Sequence, residues 1–249
     1  MKLNKTDNRI FFISDVHLSF NEDDYEIEKR KKLSAFLDHV MDNGDVLVIG
    51  GDLFDFWYEW SHVIPKYWGE VIFKLRSIIN SGKRVIFITG NHDFEFGYYL
   101  QKEIGMDCFD ENCDISVDGK IFFVGHGDGL AKKDIGYRFA KRMIRNRFSK
   151  FFFKTFIHPD LGMKIAKLAS GSSRKYVKID KNAWANEYFD FAKNKFKEGY
   201  DYVVLGHLHI PMEKVKDGCT YLNTGDWIIH FSYGYYDGKS LKLKYWDKD

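Results

Sequence analysis

Five short runs of β-branched and aromatic residues each end in His, Asp or Asn, the residue types that bind divalent cations. The candidate ligands at these run ends are Asp15, His17, Asp52, Asn91, His126, His207 and His209. Seven N and O donors without a cysteine exceed what one tetrahedral zinc ion needs, whereas two cations that share a bridging carboxylate would use all of them. The sequence therefore predicts a centre for two divalent metal ions.

The spacing of these residues indicates which elements carry them. The five runs, residues 9–14, 45–50, 84–89, 120–124 and 201–205, have the composition of buried strands. Open α/β sheets bind ligands outside the carboxyl ends of their strands, so these ends should lie together. Glycines such as Gly90 and Gly206 precede the ligands, as expected where the backbone must approach an ion closely.

Amphipathic patterns predict helices at residues 26–41, 66–80, 94–105, 134–157, 159–169 and 182–197. The first two helices separate the first three strands, which should therefore be parallel. The first helix should bury one apolar stripe, formed by Ile27, Leu33, Phe36, Leu37 and Val40. Residues 117–120 have the sequence of a hairpin turn. Residues 220–246 are predicted to form a β-meander with turns at Asp226 and Asp237.

Composition indicates a single domain with a distinct basic segment. The chain has 249 residues, 45% of them hydrophobic and 18% aromatic, which is enough for a packed core. The net charge is only +2, but residues 131–180 contain 14 Lys and Arg against 3 Asp and Glu, which leaves −9 for the remainder. We expect these residues to form an inserted, basic, aromatic helical cap.

Cysteine usage and hydropathy predict a cytoplasmic protein. The three cysteines form no CxxC pair, which favours a reducing compartment. The first eight residues are polar, and no uncharged stretch reaches the length of a membrane span. His39, His62, His158 and His230 are expected to be ordinary surface or packed residues.

The ordered motifs resemble the signature of the calcineurin-like metallophosphoesterases. The matching motifs are Asp15-x-His17, Gly51-Asp52, Gly90-Asn91-His92-Asp93, Gly125-His126 and Gly206-His207-x-His209. The resemblance implies an α/β (α+β) chain with a four-layer αββα fold, in which two packed mixed sheets are flanked by helices. It also implies that Asp15, His17 and His209 bind one metal, that Asn91, His126 and His207 bind the other, and that Asp52 bridges both.

A two-metal centre of this kind implies hydrolysis at phosphorus. Two cations lower the pKa of a bridging water, so that a hydroxide attacks, and they stabilise the attacking and departing oxygens. Asn91 and His92 would be catalytic, with a cationic His92 stabilising charge or protonating the leaving group. Asp93 would orient His92.

Further motifs resemble the UDP-2,3-diacylglucosamine hydrolases of lipid A biosynthesis. The matches include Gly51-Asp52-Leu53-Phe54 with Trp57, and Asp134-x-Gly136-Tyr137 at the start of the cap. The resemblance implies cleavage of a lipid-linked nucleotide sugar to UMP and 2,3-diacylglucosamine 1-phosphate, with Mn²⁺ preferred and Fe or Zn as alternatives. The substrate contacts carried over are Asn91, His92, Asp134, Ser173, Lys175, Lys178 and His207. The best-known members have Arg at the position of His92.

The basic cap also suggests where the protein acts. Its aromatic residues would hold acyl chains and its cations would hold phosphates, and a peripheral contact with the cytoplasmic face of the inner membrane would suit a diacylated substrate. A second hypothesis is a phosphoesterase that acts on another nucleotide, phosphodiester or nucleic acid, although nucleic acid is not the expected partner. A third is a non-catalytic scaffold or lipid-binding module. Oligomeric state stays open.

Overall fold

Two packed β-sheets form the centre of the fold. The computed structural model describes residues 1–93, 97–130, 146–173 and 181–246. The strands in these ranges are β1 (Ile10–Ile13), β2 (Val46–Gly50), β3 (Arg84–Ile88), β4 (Asp107–Phe109), β5 (Asn112–Val117), β6 (Lys120–Gly125), β7 (Tyr202–Leu205), β8 (Met212–Lys216), β9 (Cys219–Asn223), β10 (Ser232–Tyr236) and β11 (Leu241–Tyr245). The α-helices are α1 (Asp24–Asn43), α2 (Gly69–Asn80), α3 (Arg147–Phe156), α4 (Pro159–Ser173) and α5 (Lys181–Lys197).

Both sheets mix parallel and antiparallel pairs, as the sequence predicted. The six-stranded sheet has the order β11-β10-β1-β2-β3-β4, and the five-stranded sheet has the order β5-β6-β7-β9-β8. β1, β2 and β3 are parallel, because α1 and α2 return the chain to the same end of the sheet. The predicted hairpin is confirmed by the antiparallel pairing of β5 with β6.

The alternation of side chains along each strand builds four layers. In β1, Ile10 and Phe12 pack between the two sheets, whereas Phe11 and Ile13 face α1 and α2. On the outer face of the five-stranded sheet, Tyr188 of α5 packs against that sheet. The order helix, sheet, sheet, helix confirms the predicted αββα fold.

The first turn of α1 buries charges where an apolar stripe was expected. Ile27 is 42% exposed, whereas Glu26 and Lys29 are 2% and 3% exposed. Lys29 Nζ lies 2.7 Å from Glu26 Oε2 and donates a 2.7 Å hydrogen bond to the carbonyl of His17. Glu26 Oε1 accepts from the backbone N–H of Ser19 at 3.0 Å. This turn packs on polar backbone after β1 and not on the apolar face of the sheet, so charged side chains replace apolar ones.

Two predicted helices lie only partly within the described residues. For the prediction over residues 94–105, the described part forms a π-helical turn at Tyr99–Ile104 that ends at Gly105, whose φ is 91°, and residues 94–96 lie outside the described residues. For the prediction over residues 134–157, residues 134–145 lie outside the described residues, and a helix begins at Arg147. Asn146 is extended, and its side chain accepts from the N–H of Phe148, which caps the start of this helix.

The predicted meander over residues 220–246 is confirmed in its second half, where β10 and β11 are antiparallel and joined by a turn at Asp237, and is wrong in its first half. β9 belongs to the five-stranded sheet, where it pairs with β7 and β8, whereas β10 and β11 belong to the other sheet. The chain crosses between the sheets at residues 224–231. Three backbone N–H groups in this crossing are bound by the carboxylate of Asp226, which makes it an ordered connection in place of a tight hairpin turn.

The described part of the basic segment consists of α3 and α4. Phe153 of α3 docks on the core through Tyr58 and Trp60, with ring centroids 5.0 Å and 6.0 Å apart. The other phenylalanines of α3 are exposed, namely Phe148, Phe151, Phe152 and Phe156. Within the described ranges, the helices lack the combination of length and apolarity that crossing a bilayer requires.

The buried ion pair of α1 should contribute strongly to stability. Lys29→Met removes the cation 2.7 Å from Glu26 Oε2 and leaves the buried carboxylate only Arg30, whose Nε lies 3.3 Å from Oε1. It should lower the free energy of unfolding by about 2 kcal/mol, because a buried charge that loses a partner is costly. The measurement is urea denaturation of the metal-free protein. Lys31→Met is the matched control on the same helix, since the Lys31–Glu28 pair is 3.9 Å long and both side chains are well exposed. Equal effects of the two substitutions would contradict the interpretation.

Candidate metal centre

The seven candidate ligands lie together where the two sheets meet. Each follows the carboxyl end of its strand. Three strands of the six-stranded sheet and two of the five-stranded sheet contribute them. The sources are β1 for Asp15 and His17, β2 for Asp52, β3 for Asn91, β6 for His126, and β7 for His207 and His209.

One group of ligands consists of Asp15, His17 and His209. Ligand atoms of these three residues lie within 4.8 Å of one another. His209 Nε2 and His17 Nε2 lie 3.5 Å and 3.9 Å from Asp15 Oδ1. The rings of His17 and His209 are stacked with centroids 5.2 Å apart, so both present a nitrogen to the same carboxylate oxygen.

A second group consists of Asn91, His126 and His207. Asn91 Oδ1 lies 2.9 Å from His207 Nδ1 and 3.0 Å from His126 Nε2. The two histidine nitrogens are 3.3 Å apart. His126 is fixed by its other nitrogen, because Nδ1 lies 2.9 Å from the carbonyl of Gly50, which turns Nε2 toward the group.

Asp52 lies between the two groups. Its Oδ2 is 3.5 Å from His17 Nε2 and 3.3 Å from His126 Nε2. Its Oδ1 accepts a 2.8 Å hydrogen bond from the backbone N–H of His92. One oxygen is therefore held by the backbone, and the other faces a histidine of each group.

Three buried atoms of the first group have no hydrogen-bond partner among the described residues, namely Asp15 Oδ1 and both ring nitrogens of His17. An unpaired buried polar atom costs about 1–3 kcal/mol, and such atoms in a folded protein call for an explanation. A divalent cation would bind Asp15 Oδ1 and His17 Nε2, and imidazole, carboxylate and amide donors suit Mn²⁺, Fe²⁺ or Zn²⁺. The residues therefore fit a metal centre.

The backbone of the centre is strained in a consistent way. Among the described residues, eight that are not glycine have positive φ, and five of them are candidate ligands, namely Asp15, His17, Asp52, His207 and His209, with φ between 47° and 67°. Such conformations cost free energy and persist where the surroundings hold them, most often at functional sites. Backbone hydrogen bonds hold these loops together, from Asp15 N to Gly51 O at 3.1 Å and from His17 N to Asp52 O at 2.9 Å.

Two glycines allow the close approach that the sequence predicted. A methyl group on Gly90 would overlap the Asp52 carboxylate, and one on Gly206 would overlap the side chains of Ser14 and Asp15. The loops after β3 and β7 therefore reach the centre only because these positions have no side chain.

The charges of the centre are strongly coupled. Burial opposes the charged form of Asp52, but His126 and His92 outweigh it and hold the pKa of Asp52 well below its usual value. Burial also opposes the charged form of His126, yet the carboxylates of Asp52 and Asp15 raise its pKa to about 10. Burial and the neighbouring His126 lower the pKa of His207 to about 4. Without a cation, the raised pKa therefore favours the charged imidazolium form of His126 at neutral pH.

His92 lies beside the centre, but Asp93 does not orient it as expected. His92 Nδ1 lies 3.0 Å from the carbonyl oxygen of Asp55. The Asp93 carboxylate instead accepts hydrogen bonds from the backbone N–H groups of Leu53 and Phe54, each at 3.2 Å. Burial and the charge of Asp52 raise the pKa of Asp93 to about 7. The carboxylate of Asp93 therefore holds the backbone of the loop after β2 in place, and it is the carbonyl of Asp55 that lies beside the ring of His92.

Two carboxylates that support the histidines were missed by the sequence analysis. Asp55 Oδ1 lies 3.4 Å from His17 Nδ1, and Asp226 Oδ2 lies 3.6 Å from His209 Nδ1. Asp55 follows Asp52 by three residues, which is a weak signal by itself, and Asp226 was interpreted only as a turn residue. Both contacts depend on how distant loops pack.

The predicted substrate contacts fall into two sets. Asn91, His92 and His207 lie at the centre. Asp134, Lys175 and Lys178 lie outside the described residues, and Ser173 is the last residue of α4, without a described side chain.

The chain is similar to several known proteins over most of its length. The UDP-2,3-diacylglucosamine hydrolase of Porphyromonas gingivalis is 28% identical over 255 residues, which cover 95% of this chain and 97% of that protein. The protein of the same name from Haemophilus influenzae is 29% identical over 229 residues, covering 87% of this chain and 90% of that protein. The solved structure of Yfce, a phosphoesterase from E. coli, covers 97% of this chain and 95% of its own at 16% identity and a TM-score of 0.48.

A family model described as calcineurin-like phosphoesterase matches residues 8–211. The match includes the strand ends that carry all seven candidate ligands. Members of this family are hydrolases whose fold implies divalent metal ions. Because the family model covers most of the chain, the protein belongs to the calcineurin-like phosphoesterase family and is a metallophosphoesterase.

Proposed function

We propose that the chain hydrolyses the pyrophosphate bond of UDP-2,3-diacylglucosamine at a centre of two divalent cations, which we take to be Mn²⁺. Asp15, His17 and His209 would hold one cation, Asn91, His126 and His207 would hold the other, and Asp52 would be shared by both. The observation that carries this proposal is the position of the Asp52 carboxylate, with one oxygen facing histidines of both groups at 3.5 Å and 3.3 Å. The products are UMP and 2,3-diacylglucosamine 1-phosphate.

The cations, when bound, supply an activated water and neutralise charge on the phosphate oxygens. His92 supplies the remaining proton chemistry. Its Nδ1 lies beside the carbonyl of Asp55, so Nε2 is the atom that donates a proton to the departing oxygen or stabilises negative charge. The ring of His92 lies edge-on to His17 with centroids 4.7 Å apart, which supports a role for His92 at the phosphate that the centre would bind. Asn91 contributes its amide oxygen.

The choice of substrate rests on two observations. The relatives that match over 95% and 87% of the chain are UDP-2,3-diacylglucosamine hydrolases. In addition, residues 131–180 are strongly basic, and α3 leaves four phenylalanines exposed. We infer that this segment is a cap whose aromatic side chains meet acyl chains while cations such as Lys175 and Lys178 meet phosphates. Asp134 and Ser173 are proposed as further substrate contacts.

We infer that the cap also makes a peripheral contact with the inner leaflet of the membrane. Phe148 and Phe156 are 84% and 64% exposed, and Leu168 on α4 is 75% exposed. Apolar side chains among Lys and Arg are the combination that binds to an anionic lipid surface. Such a contact brings the active site to a substrate that resides in the bilayer.

The first test is an assay of the Mn²⁺-loaded protein with UDP-2,3-diacylglucosamine and, separately, with bis-p-nitrophenyl phosphate. Phosphorus NMR should show UMP and a sugar 1-phosphate, formed much faster than the generic diester is cleaved. Asp52→Asn should lower turnover by about a thousandfold or more, because it removes the bridging charge. Asp38→Asn, on the exposed surface of α1, is the control and should leave turnover unchanged.

Cleavage of the generic diester alone would retain the phosphoesterase and reject this substrate. Full activity of Asp52→Asn would reject the two-metal assignment.

Cation binding at this centre should release a proton. Because the carboxylates of Asp52 and Asp15 raise the pKa of His126 to about 10, a cation that binds at neutral pH must displace a proton. Mn²⁺ affinity should therefore weaken as pH falls from 8.5 to 6.5, by about tenfold per pH unit for each proton displaced. Calorimetry in two buffers of different ionisation enthalpy measures both quantities. Affinity that is independent of pH, with no proton released, would refute this account of the centre.

The exposed phenylalanines of α3 should contribute to binding of lipid vesicles. Phe148→Ser combined with Phe152→Ser should weaken binding to vesicles that contain phosphatidylglycerol by about tenfold, because both side chains are largely exposed and free to enter the lipid interface. Co-sedimentation with vesicles measures this. Phe73→Ser is the matched control, since Phe73 is 68% exposed but lies on α2. An equal loss in the control, or none in the cap variant, would exclude a specific membrane contact.

A further inference from the structure

The crossing between the two sheets, residues 224–231, also reaches the first group of ligands. The backbone N–H of Trp227 donates to the carbonyl of Asp15 at 3.1 Å. Ser14 Oγ and Thr224 Oγ1 are 2.6 Å apart. The crossing thus contacts the loop after β1. Its one buried carboxylate, Asp226, faces His209 of the first group of ligands.

The two oxygens of Asp226 make different contacts. Oδ1 accepts hydrogen bonds from the backbone N–H groups of Ile228, Ile229 and His230 at 3.0, 2.7 and 3.0 Å. Oδ2 lies 3.0 Å from His230 Nδ1 and 3.6 Å from His209 Nδ1. Oδ1 therefore closes the turn, and Oδ2 is directed at two histidine rings.

This arrangement decides which nitrogen of His209 faces the centre. A carboxylate beside Nδ1 favours the tautomer that carries its proton on Nδ1, which leaves the lone pair on Nε2. His209 Nε2 is the nitrogen 3.5 Å from Asp15 Oδ1. Asp15 and Asp52 follow the same pattern, since one oxygen of each accepts a backbone N–H and the other faces histidines.

We propose that Asp226 is a positioning residue that fixes the tautomer and orientation of His209 and thereby sets the affinity of one of the two cation sites. The inference rests on the two-metal centre proposed above and adds a residue that contacts neither cation. His230 shares Oδ2 at 3.0 Å but is not one of the seven candidate ligands, so its removal leaves Oδ2 to His209.

The test is Asp226→Asn, with Mn²⁺ binding followed by calorimetry and by metal content after gel filtration. Three backbone N–H groups require an oxygen at the Oδ1 position, so the new amide group takes the Oδ2 position. There it donates to His209 Nδ1 and favours the tautomer with the proton on Nε2. One Mn²⁺ site should weaken by about 10- to 100-fold, while the other keeps its affinity.

Two controls separate positioning from folding. His230→Gln should leave both affinities unchanged, because it removes the other partner of Oδ2 only. Nitrogen-detected histidine NMR of the metal-free protein, at a pH that keeps the ring neutral, should show the Nδ1-protonated tautomer of His209, assigned with His209→Gln. This readout applies to the wild type and does not depend on the stability of a variant.

The possible outcomes are distinct. Wild-type affinities in Asp226→Asn, or an Nε2-protonated His209 in the wild type, would overturn the inference. Equal weakening of both sites together with a lower melting temperature of the metal-free variant would also overturn it, since that result indicates a structural role only. A wild type that binds no Mn²⁺ at all would instead overturn the two-metal centre.

Discussion

The carboxylate of Asp52, buried between histidines of two different sheets, is the constraint on which the rest of the site depends. A carboxylate removed from water requires compensating donors or cations. Here the compensation comes from His17, which follows β1, and from His126, which follows β6 in the other sheet. The two sheets must therefore pack with the carboxyl ends of these strands together. The fold thus places the polar cluster where strand ends of both sheets meet.

Holding these polar groups close together requires a specialised backbone. Five candidate ligands take positive φ, and the loops after β3 and β7 pass so close to carboxylates that Gly90 and Gly206 admit no side chain. The carboxylates share one arrangement, in which one oxygen is satisfied by backbone N–H groups and the other faces imidazoles. The backbone thus fixes the direction of each carboxylate before any cation binds. Such preorganisation is typical of sites that stabilise charge during a reaction.

The periphery of the molecule follows different physical rules. The core layers are held by alternating apolar side chains, and the buried pair of Glu26 and Lys29 ties the loop that carries His17 to α1. The described part of the basic segment contacts the core through few side chains, with Phe153 on Tyr58 and Trp60, and exposes most of its other aromatic rings. The cluster of candidate ligands is therefore combined with a basic segment that exposes aromatic rings.

Local sequence patterns were sufficient for the five strands that precede the candidate ligands, for the parallel order of the first three, and for the residues at their ends. These features follow from short runs of β-branched and aromatic residues and from the residue types that end each run, which are properties of neighbouring positions. The family signature added the four-layer fold and the division of the ligands into two groups.

Only the tertiary structure decided features that depend on which distant segments meet. Glu26 and Lys29 are buried in place of Ile27 because the first turn of α1 packs on polar backbone. β9 and β10 lie in different sheets because the chain crosses at Asp226. His92 is held by Asp55 and not by its neighbour Asp93, and His209 faces Asp226 from seventeen positions away. Periodicity and motif spacing describe one segment at a time, whereas each of these contacts is selected by the packing of two segments.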